Sequence, residues 1–76
     1  MLWTDADALG RALHARFPGK DPLTIRFPDL QQWVMELEGF ADETSRPSPR
    51  LLEAIQERWY EAFRQALAPG AHPPLS

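Results

Sequence analysis

Cysteine is absent from the 76 residues of the sequence. This absence excludes disulfide bonds, thiolate metal sites, iron–sulfur ligation by thiolates and cysteine nucleophiles, and it is compatible with a reducing cytoplasm. Long apolar runs are also missing, because no stretch approaches the roughly 20 residues that a membrane span requires. No basic and apolar leader opens the chain either. We therefore expect a soluble, cytoplasmic protein with no membrane partner.

Catalytic motifs are missing as well. The sequence contains no Gly-rich phosphate loop, no nucleophile elbow and no HExxH metal motif. Asp29 and Glu36 could lie two turns apart on one helix face, but acid–base catalysis needs carboxyl groups in a cleft that shifts their pKa. A domain of this size has little room for such a cleft. We expect no enzyme and no tightly bound cofactor.

Basic residues are missing from one long segment, since no Lys or Arg lies between Phe27 and Arg46. Five acids occupy that segment: Asp29, Glu36, Glu38, Asp42 and Glu43. Acidic surfaces repel phosphate backbones and attract basic protein patches or cations, so nucleic acid is disfavoured as a partner. An acidic face of this kind either binds a protein or only keeps the chain in solution, and the residues leave both interpretations open.

Three helical patterns are present, and we expect one small domain over residues 1–67. Thr4 is the predicted N-cap of a helix that runs to about Arg16. A second helix is predicted to open at Pro28, which suits a first turn, and to close at Gly39. Ser48, followed by a proline, is the predicted N-cap of the third helix. The proline-rich residues 68–76 lack periodicity, and we expect them to be disordered.

Apolar residues recur at helical spacing in all three segments, which predicts one buried stripe on each helix. The second helix shows it most clearly, with Leu30, Trp33, Val34 and Leu37 at i, i+3, i+4 and i+7. The predicted core centres on Trp33, Trp59, Leu37, Ile55, Leu13 and Phe63. Phe40 is expected to fold back onto this core as an apolar anchor.

The segment Leu23–Phe27 follows a turn signal at Asp21-Pro22 and alternates apolar with polar residues. This pattern is typical of a short strand or extended arm. The predicted fold is therefore mainly α, a small three-helix, winged-helix-like domain with at most a short β element. That topology leaves nucleic-acid binding open, as winged-helix and helix-turn-helix domains share it.

Candidate binding residues lie on and after the second predicted helix. The predicted partner-binding residues are Asp29, Gln32, Met35, Glu36 and Glu38. Met35 points away from the buried stripe by helical angle, and an adaptable apolar side chain among acids suits a docking surface. Oxygen ligands for a hard cation such as Fe²⁺ are Glu38, Asp42 and Glu43, but their spacing matches no EF-hand loop. We expect such binding to be weak.

A specific set of residues resembles the IscX family, the small acidic accessory proteins of bacterial iron–sulfur cluster assembly. The similar residues include Trp3-Thr4-Asp5, Pro18, the DPxTIRFxD segment from Asp21 to Asp29, Trp33, Leu37-Glu38-x-Phe40, Leu52-Glu53-Ala54-Ile55 and Trp59. The resemblance runs without gaps from Trp3 to about Trp59. It implies a modified winged helix that does not act on DNA and that docks on a basic surface of the cysteine desulfurase. It also implies competition there with a frataxin-like protein, and weak ferrous-iron binding by exposed acids.

The sequence departs from the family pattern mainly by carrying fewer acids. Phe40 is followed by Ala41-Asp42-Glu43-Thr44 where the family tends to have three Asp and a Pro, and Pro28 replaces a frequent Thr. Docking on a protein partner tolerates this smaller number of acidic residues better than iron binding does. We predict a non-catalytic adaptor or regulator of the desulfurase; the alternatives are a winged-helix nucleic-acid-binding protein and a generic protein-interaction module.

Overall fold

A computed structural model describes residues 1–42 and 47–67. For Leu67 it describes the backbone but not the side chain. Three α-helices form in this part of the chain: α1 (Ala6–Arg16), α2 (Phe27–Met35) and α3 (Pro49–Leu67). A short 3₁₀ helix (Pro22–Thr24) lies between α1 and α2. The predicted mainly α fold is confirmed, and the described ranges contain no strand. The winged-helix relationship stays a prediction, and the predicted tail 68–76 lies outside the described residues.

The third helix is the element against which the others pack, since α1, the 3₁₀ helix and α2 all contact α3. Its predicted start is confirmed: Leu51 N–H donates to the Ser48 hydroxyl oxygen at 3.3 Å, and Pro49 is the first helical residue. No helix among the described residues is long and apolar enough to cross a membrane. The other three elements are thus arranged around α3.

Only apolar side chains form the interior of the described structure. Of the predicted core residues, Trp59, Ile55 and Leu13 are fully buried, and Leu37 and Phe63 are nearly so. All of these side chains lie on predicted apolar stripes, so the helical spacing identified most of the core correctly.

Two tryptophans occupy places that differ from the prediction. Trp33 is only partly buried, at the rim of the core, where its ring lies 5.0 Å from that of Phe17 and 6.3 Å from that of Trp59. Trp3, which the predicted core omitted, is 1% exposed and packs edge-on against Phe40 with ring centroids 4.7 Å apart. Phe40 is the apolar anchor that was expected. The segment before α1 therefore closes one side of the core.

Helices α1 and α3 approach each other most closely at Gly10 of α1. An added Cβ atom there would lie 2.7 Å from the backbone nitrogen of Trp59 and 2.7 Å from Cβ of Arg58. Real Cβ atoms essentially never approach other atoms so closely, so α1 can cross α3 at this distance only because position 10 lacks a side chain. The sequence analysis did not assign a role to this glycine.

The predicted N-cap of α1 was wrong by one residue. Asp5 is the N-cap, and its backbone carbonyl accepts the first helical hydrogen bond from Leu9 N–H. The Asp5 carboxylate accepts instead from Leu2 N–H at 2.8 Å, so it stabilises the turn before the helix. Thr4 lies within that turn, which is why its hydroxyl does not cap α1.

The predicted strand at Leu23–Phe27 does not form. The Asp21 carboxylate accepts from Leu23 N–H at 3.0 Å, and the Thr24 hydroxyl donates to the Asp21 carbonyl at 2.8 Å. These local hydrogen bonds favour a 3₁₀ turn over an extended strand. Only Ile25 and Arg26 are extended, and α2 begins immediately at Phe27.

The second helix ends earlier than predicted, at Met35 rather than beside Gly39. After it the chain continues in turns: Leu37 N–H donates to the Val34 carbonyl, and Phe40 N–H donates to that of Leu37. Gly39 has φ +89, a conformation that favours glycine. Leu37 nevertheless stays buried, so its predicted place in the core holds although it lies outside the helix.

Candidate functional site

The second helix buries one side against the core and exposes the other. Leu30 and Val34 hold it against the core. On the opposite side lie five exposed residues, which we call the outer face of α2: Pro28, Asp29, Gln32, Met35 and Glu36. Four of the five predicted partner-binding residues therefore share one surface of one short helix.

The outer face is shallowly concave at its centre. The concavity is lined by Pro28, Gln31, Gln32, Met35 and Glu36. Met35 is 47% exposed there, and Gln32 Nε2 donates to Glu36 Oε2 at 3.2 Å. An apolar side chain thus lies beside a polar pair that is already oriented, an arrangement that suits a protein contact with an apolar centre and a polar rim.

Within residues 1–42 and 47–66, the charges on the outer face have no oppositely charged partner. The salt bridges among the described residues are Asp7–Arg11 on α1, at 2.8 Å, and Arg58–Glu61 on α3, at 3.0 Å. The hydrogen bond and charge of Glu61 raise the pKa of the Arg58 guanidinium above its usual range. Neither pair touches α2, so the acids of α2 face solvent without compensation.

The two acids of the outer face differ in their effect on the helix. Asp29 lies in the first turn, where the positive end of the helix dipole favours a carboxylate. Glu36 is the C-cap, beside the negative end, and the last turn has no basic residue. A carboxylate at that position is electrostatically unfavourable for α2. The helix dipole therefore does not explain Glu36, although the hydrogen bond from Gln32 offsets part of this cost.

The remaining predicted acids lie beyond the outer face. Glu38 is exposed in the turn after α2, next to Gly39. Asp42 lies further on, and its Oδ2 accepts from Trp3 N–H at 3.1 Å. A second link joins the same segments, since Ala41 N–H donates to the Met1 carbonyl at 2.9 Å. Asp42 therefore fixes the segment after α2 to the buried tryptophan near the start of the chain.

The predicted metal ligands do not form a metal centre in the part of the chain that the structure describes. No group of three or more His, Cys, Asp or Glu residues there could hold a metal ion. Glu38 is exposed, Asp42 already accepts a backbone hydrogen bond, and Glu43 lies outside the described residues. Glu38 and Asp42 do not form a preorganised metal site by themselves, and weak binding by Glu38, Asp42 and Glu43 stays a prediction.

Two residues of the concavity were absent from the predicted site, Pro28 and Gln31. Each lies one helical turn before a predicted residue, Pro28 before Gln32 and Gln31 before Met35. Residues four apart on a helix are neighbours, so this spacing was the signal that could have identified them.

The fold and the surface together define a small, acidic protein whose described residues form three α-helices, with an exposed acidic helix face. The family model for iron-sulphur cluster assembly matches residues 1–64, most of the chain. The chain therefore belongs to this family, an accessory family of iron–sulfur cluster assembly, and the resemblance to the IscX family is confirmed. It is also similar to an uncharacterized protein of Pseudomonas aeruginosa, with 41% identity over 61 residues that cover 80% of this chain and 92% of the relative.

Proposed function

We propose that this protein is a non-catalytic adaptor or regulator of iron–sulfur cluster assembly that docks by the outer face of α2 on the cysteine desulfurase. The observation that carries the proposal is the group of exposed, unpaired acids around Met35. Membership of the assembly family supports the pathway. The absence of cysteine suits the reducing cytoplasm, where we place this docking.

The charge of the outer face supports a basic partner surface. Complementary charges accelerate association and fix orientation, while they add less to affinity. Asp29 and Glu36 are both exposed on the outer face, Glu36 beside Gln32, and both can meet Arg or Lys side chains of a partner. Glu36 supports the proposal most, because its position opposes the helix dipole and a role in binding accounts for it.

Met35 provides the apolar part of the contact. An unbranched thioether side chain adapts to uneven surfaces, and Met is enriched at protein interfaces. A helix of nine residues offers a small contact area. Interfaces below about 1,200 Å² are typical of transient complexes, so we propose reversible docking rather than a permanent subunit.

Reversible docking on a basic surface also suits regulation by exclusion. A frataxin-like protein that uses the same basic surface of the desulfurase would compete with this chain for it. The outer face needs no catalytic group for this role, since occupancy alone changes which partner the desulfurase binds. Competition is therefore the second part of the proposal.

The third part of the proposal is weak binding of ferrous iron. The ion would not be a resident cofactor. Its proposed ligands are Glu38, Asp42 and Glu43. Exposed carboxylates without a rigid cage bind hard cations weakly, because the binding must also order the side chains. The Asp42 carboxylate would have to share its oxygen atoms with Trp3 N–H.

Charge reversal on the outer face tests the docking. The double variant Asp29→Lys, Glu36→Lys should keep its fold, since both side chains are exposed. It should bind the desulfurase of the same organism at least about tenfold more weakly, equivalent to about 1.4 kcal/mol. Isothermal calorimetry measures the affinity, and raising the salt concentration should weaken the parent complex because the charges are screened.

The matched control is Glu53→Lys, Glu57→Lys, which reverses two exposed acids on α3 and changes the net charge equally. Its affinity should stay close to that of the parent. Equal losses in both double variants would assign the effect to overall charge. Unchanged affinity of a folded Asp29→Lys, Glu36→Lys variant would remove the outer face from the interface.

A further inference from the structure

A tight turn carries Glu38, the exposed acid that follows the outer face of α2. The turn spans Leu37 to Phe40 and is closed by Phe40 N–H, which donates to the Leu37 carbonyl at 3.1 Å. Gly39 occupies the third position with φ +89, as a type II turn requires there. Leu37 is buried and Phe40 packs against the core, so both ends of the turn are anchored. Glu38 is exposed between these anchors, two residues after Glu36.

The start of the chain holds the far end of this turn, in a set of contacts that we call the N-terminal clamp. The Trp3 ring packs edge-on against Phe40, with ring centroids 4.7 Å apart. Ala41 N–H donates to the Met1 carbonyl at 2.9 Å, and Trp3 N–H donates to Asp42 Oδ2 at 3.1 Å. The clamp therefore joins the start of the chain to three successive residues at the end of the turn.

Asp42 contributes its side chain to the clamp, whereas Ala41 contributes its backbone amide. The hydrogen bond of Asp42 links residues 39 positions apart in the sequence. It fixes the backbone of Trp3, whose side chain is 1% exposed and belongs to the core. In this contact the carboxylate serves as an acceptor oxygen, and the neutral amide of asparagine has an acceptor oxygen of the same shape. The clamp therefore needs the oxygen atom at position 42 and not its charge.

We propose that Asp42 is a positioning residue for docking on the desulfurase: through the clamp it holds the turn that presents Glu38 to the basic surface of the partner. This role rests on the proposed function and deepens it, because it gives two acids of one segment different tasks. Glu38 meets the partner by its charge, while Asp42 acts by its hydrogen bond to Trp3. A turn that is fixed before binding loses less conformational entropy when the complex forms.

Amide hydrogen exchange of the full chain alone tests the clamp. Asp42→Ala removes the acceptor, so the Trp3 amide should exchange at least about tenfold faster, the effect of losing one hydrogen bond. Asp42→Asn keeps an acceptor, and its Trp3 amide should exchange at nearly the parent rate. Equal exchange in Asp42→Ala and the parent would overturn the proposal, because the carboxylate would not hold the clamp.

Calorimetry with the desulfurase of the same organism tests the docking. Asp42→Ala and Glu38→Gln should each weaken docking about threefold, the size of one exposed ion pair. Asp42→Asn should bind like the parent, although it removes the same charge as Glu38→Gln. Equal losses in Asp42→Asn and Asp42→Ala would overturn the proposal, because position 42 would then act by its charge.

A double-mutant cycle separates positioning from a general loss of stability. If Asp42 acts through Glu38, adding Asp42→Ala to Glu38→Gln should weaken docking no further than Glu38→Gln alone. Independent effects would instead multiply to about ninefold. A double variant with the multiplied loss would assign Asp42 a role unrelated to Glu38 and would overturn the proposal.

Gly39→Ala changes the turn without altering Asp42, and it keeps the test sharp if Asp42→Ala fails to fold. The new Cβ would meet Met1 Cε at an ordinary 3.8 Å, but φ +89 is strained for alanine. Docking should weaken about threefold, again by the loss of one exposed ion pair. Gly19→Ala, with nothing within 4 Å of its added Cβ, is the control and should bind like the parent. Unchanged docking of a folded Gly39→Ala variant would overturn the proposal.

The two proposals fail in different ways. If Asp29→Lys, Glu36→Lys weakens docking while Asp42→Ala binds like the parent, the outer face is retained and the positioning role of Asp42 is overturned. If the parent does not bind the desulfurase, both proposals are overturned together. Circular dichroism at the temperature of each titration checks that every variant is folded.

Discussion

Two regions of the molecule use their residues for opposite purposes. One is the contact between α1 and α3, and the other is the outer face of α2. In the contact, an aromatic ring of α3 is fully buried and a glycine of α1 allows the two backbones to approach closely. Packing accounts for both of these residues. On the outer face, one acid opposes the helix dipole and an apolar side chain is half exposed. Packing and the helix dipole explain neither of them.

This difference distinguishes residues that maintain the fold from residues that are available to bind a partner. Changes in the α1–α3 contact should lower stability and affect binding only through unfolding. Changes on the outer face should alter binding and change stability by no more than about 1 kcal/mol, with a loss at Asp29 and a gain at Glu36 from the helix dipole.

Trp59→Ala should produce the largest effect. The side chain is fully buried, and removing a buried large aromatic costs about 3–5 kcal/mol, a large part of the stability of a small domain. Trp33→Ala should cost clearly less, because that ring is only partly buried at the rim. Urea unfolding of both variants gives the comparison. A larger loss for Trp33 would contradict the assigned core.

Gly10→Ala should be next. The new methyl group would meet the α3 backbone at 2.7 Å, and such overpacking costs about 1–3 kcal/mol. Alanine favours a helix over glycine by up to about 1 kcal/mol, which offsets part of the loss. Gly19→Ala is the control, since nothing lies within 4 Å of its added Cβ. Thermal melts that show Gly10→Ala as more stable than the parent would mean that α1 and α3 can move apart enough to accommodate the methyl group.

Glu36→Gln should have a small effect of the opposite sign. Removing the charge from the negative end of α2 should raise the free energy of unfolding by about 0.3–1 kcal/mol. The control is Glu57→Gln, an exposed acid within α3, where a change within about 0.5 kcal/mol is expected. If Glu36→Gln melts at a lower temperature than the parent, Glu36 contributes to the fold, and its position no longer indicates a binding role.

Much of the fold followed from local signals. Ser48 and Pro49 predicted the start of α3 because a hydroxyl cap and a first-turn proline act through neighbouring backbone groups. Helical spacing likewise found most of the core. Local signals predicted the wrong structure where a side chain could form hydrogen bonds with several backbone groups. Asp21 forms a 3₁₀ turn with the residues after it, and that turn replaced the predicted strand.

Features that depend on two distant segments were not predictable from one sequence. The close crossing at Gly10 depends on where α3 passes, and no local pattern contains that information. Trp3 is buried because Phe40 and Asp42, more than thirty positions away, contact it. The outer face was better predicted, because its exposure follows from the angle between Met35 and the buried stripe of the same helix.

The most direct test of the central claim is an NMR titration of the isotope-labelled chain with unlabelled cysteine desulfurase. The account predicts that amide signals broaden first at Asp29, Gln32, Met35 and Glu36, on the outer face of α2. Signals of Arg50, Glu53 and Glu57, exposed on α3, should broaden much less. Broadening centred on α3, with the outer face unaffected, would contradict the claim that α2 carries its acids for a partner.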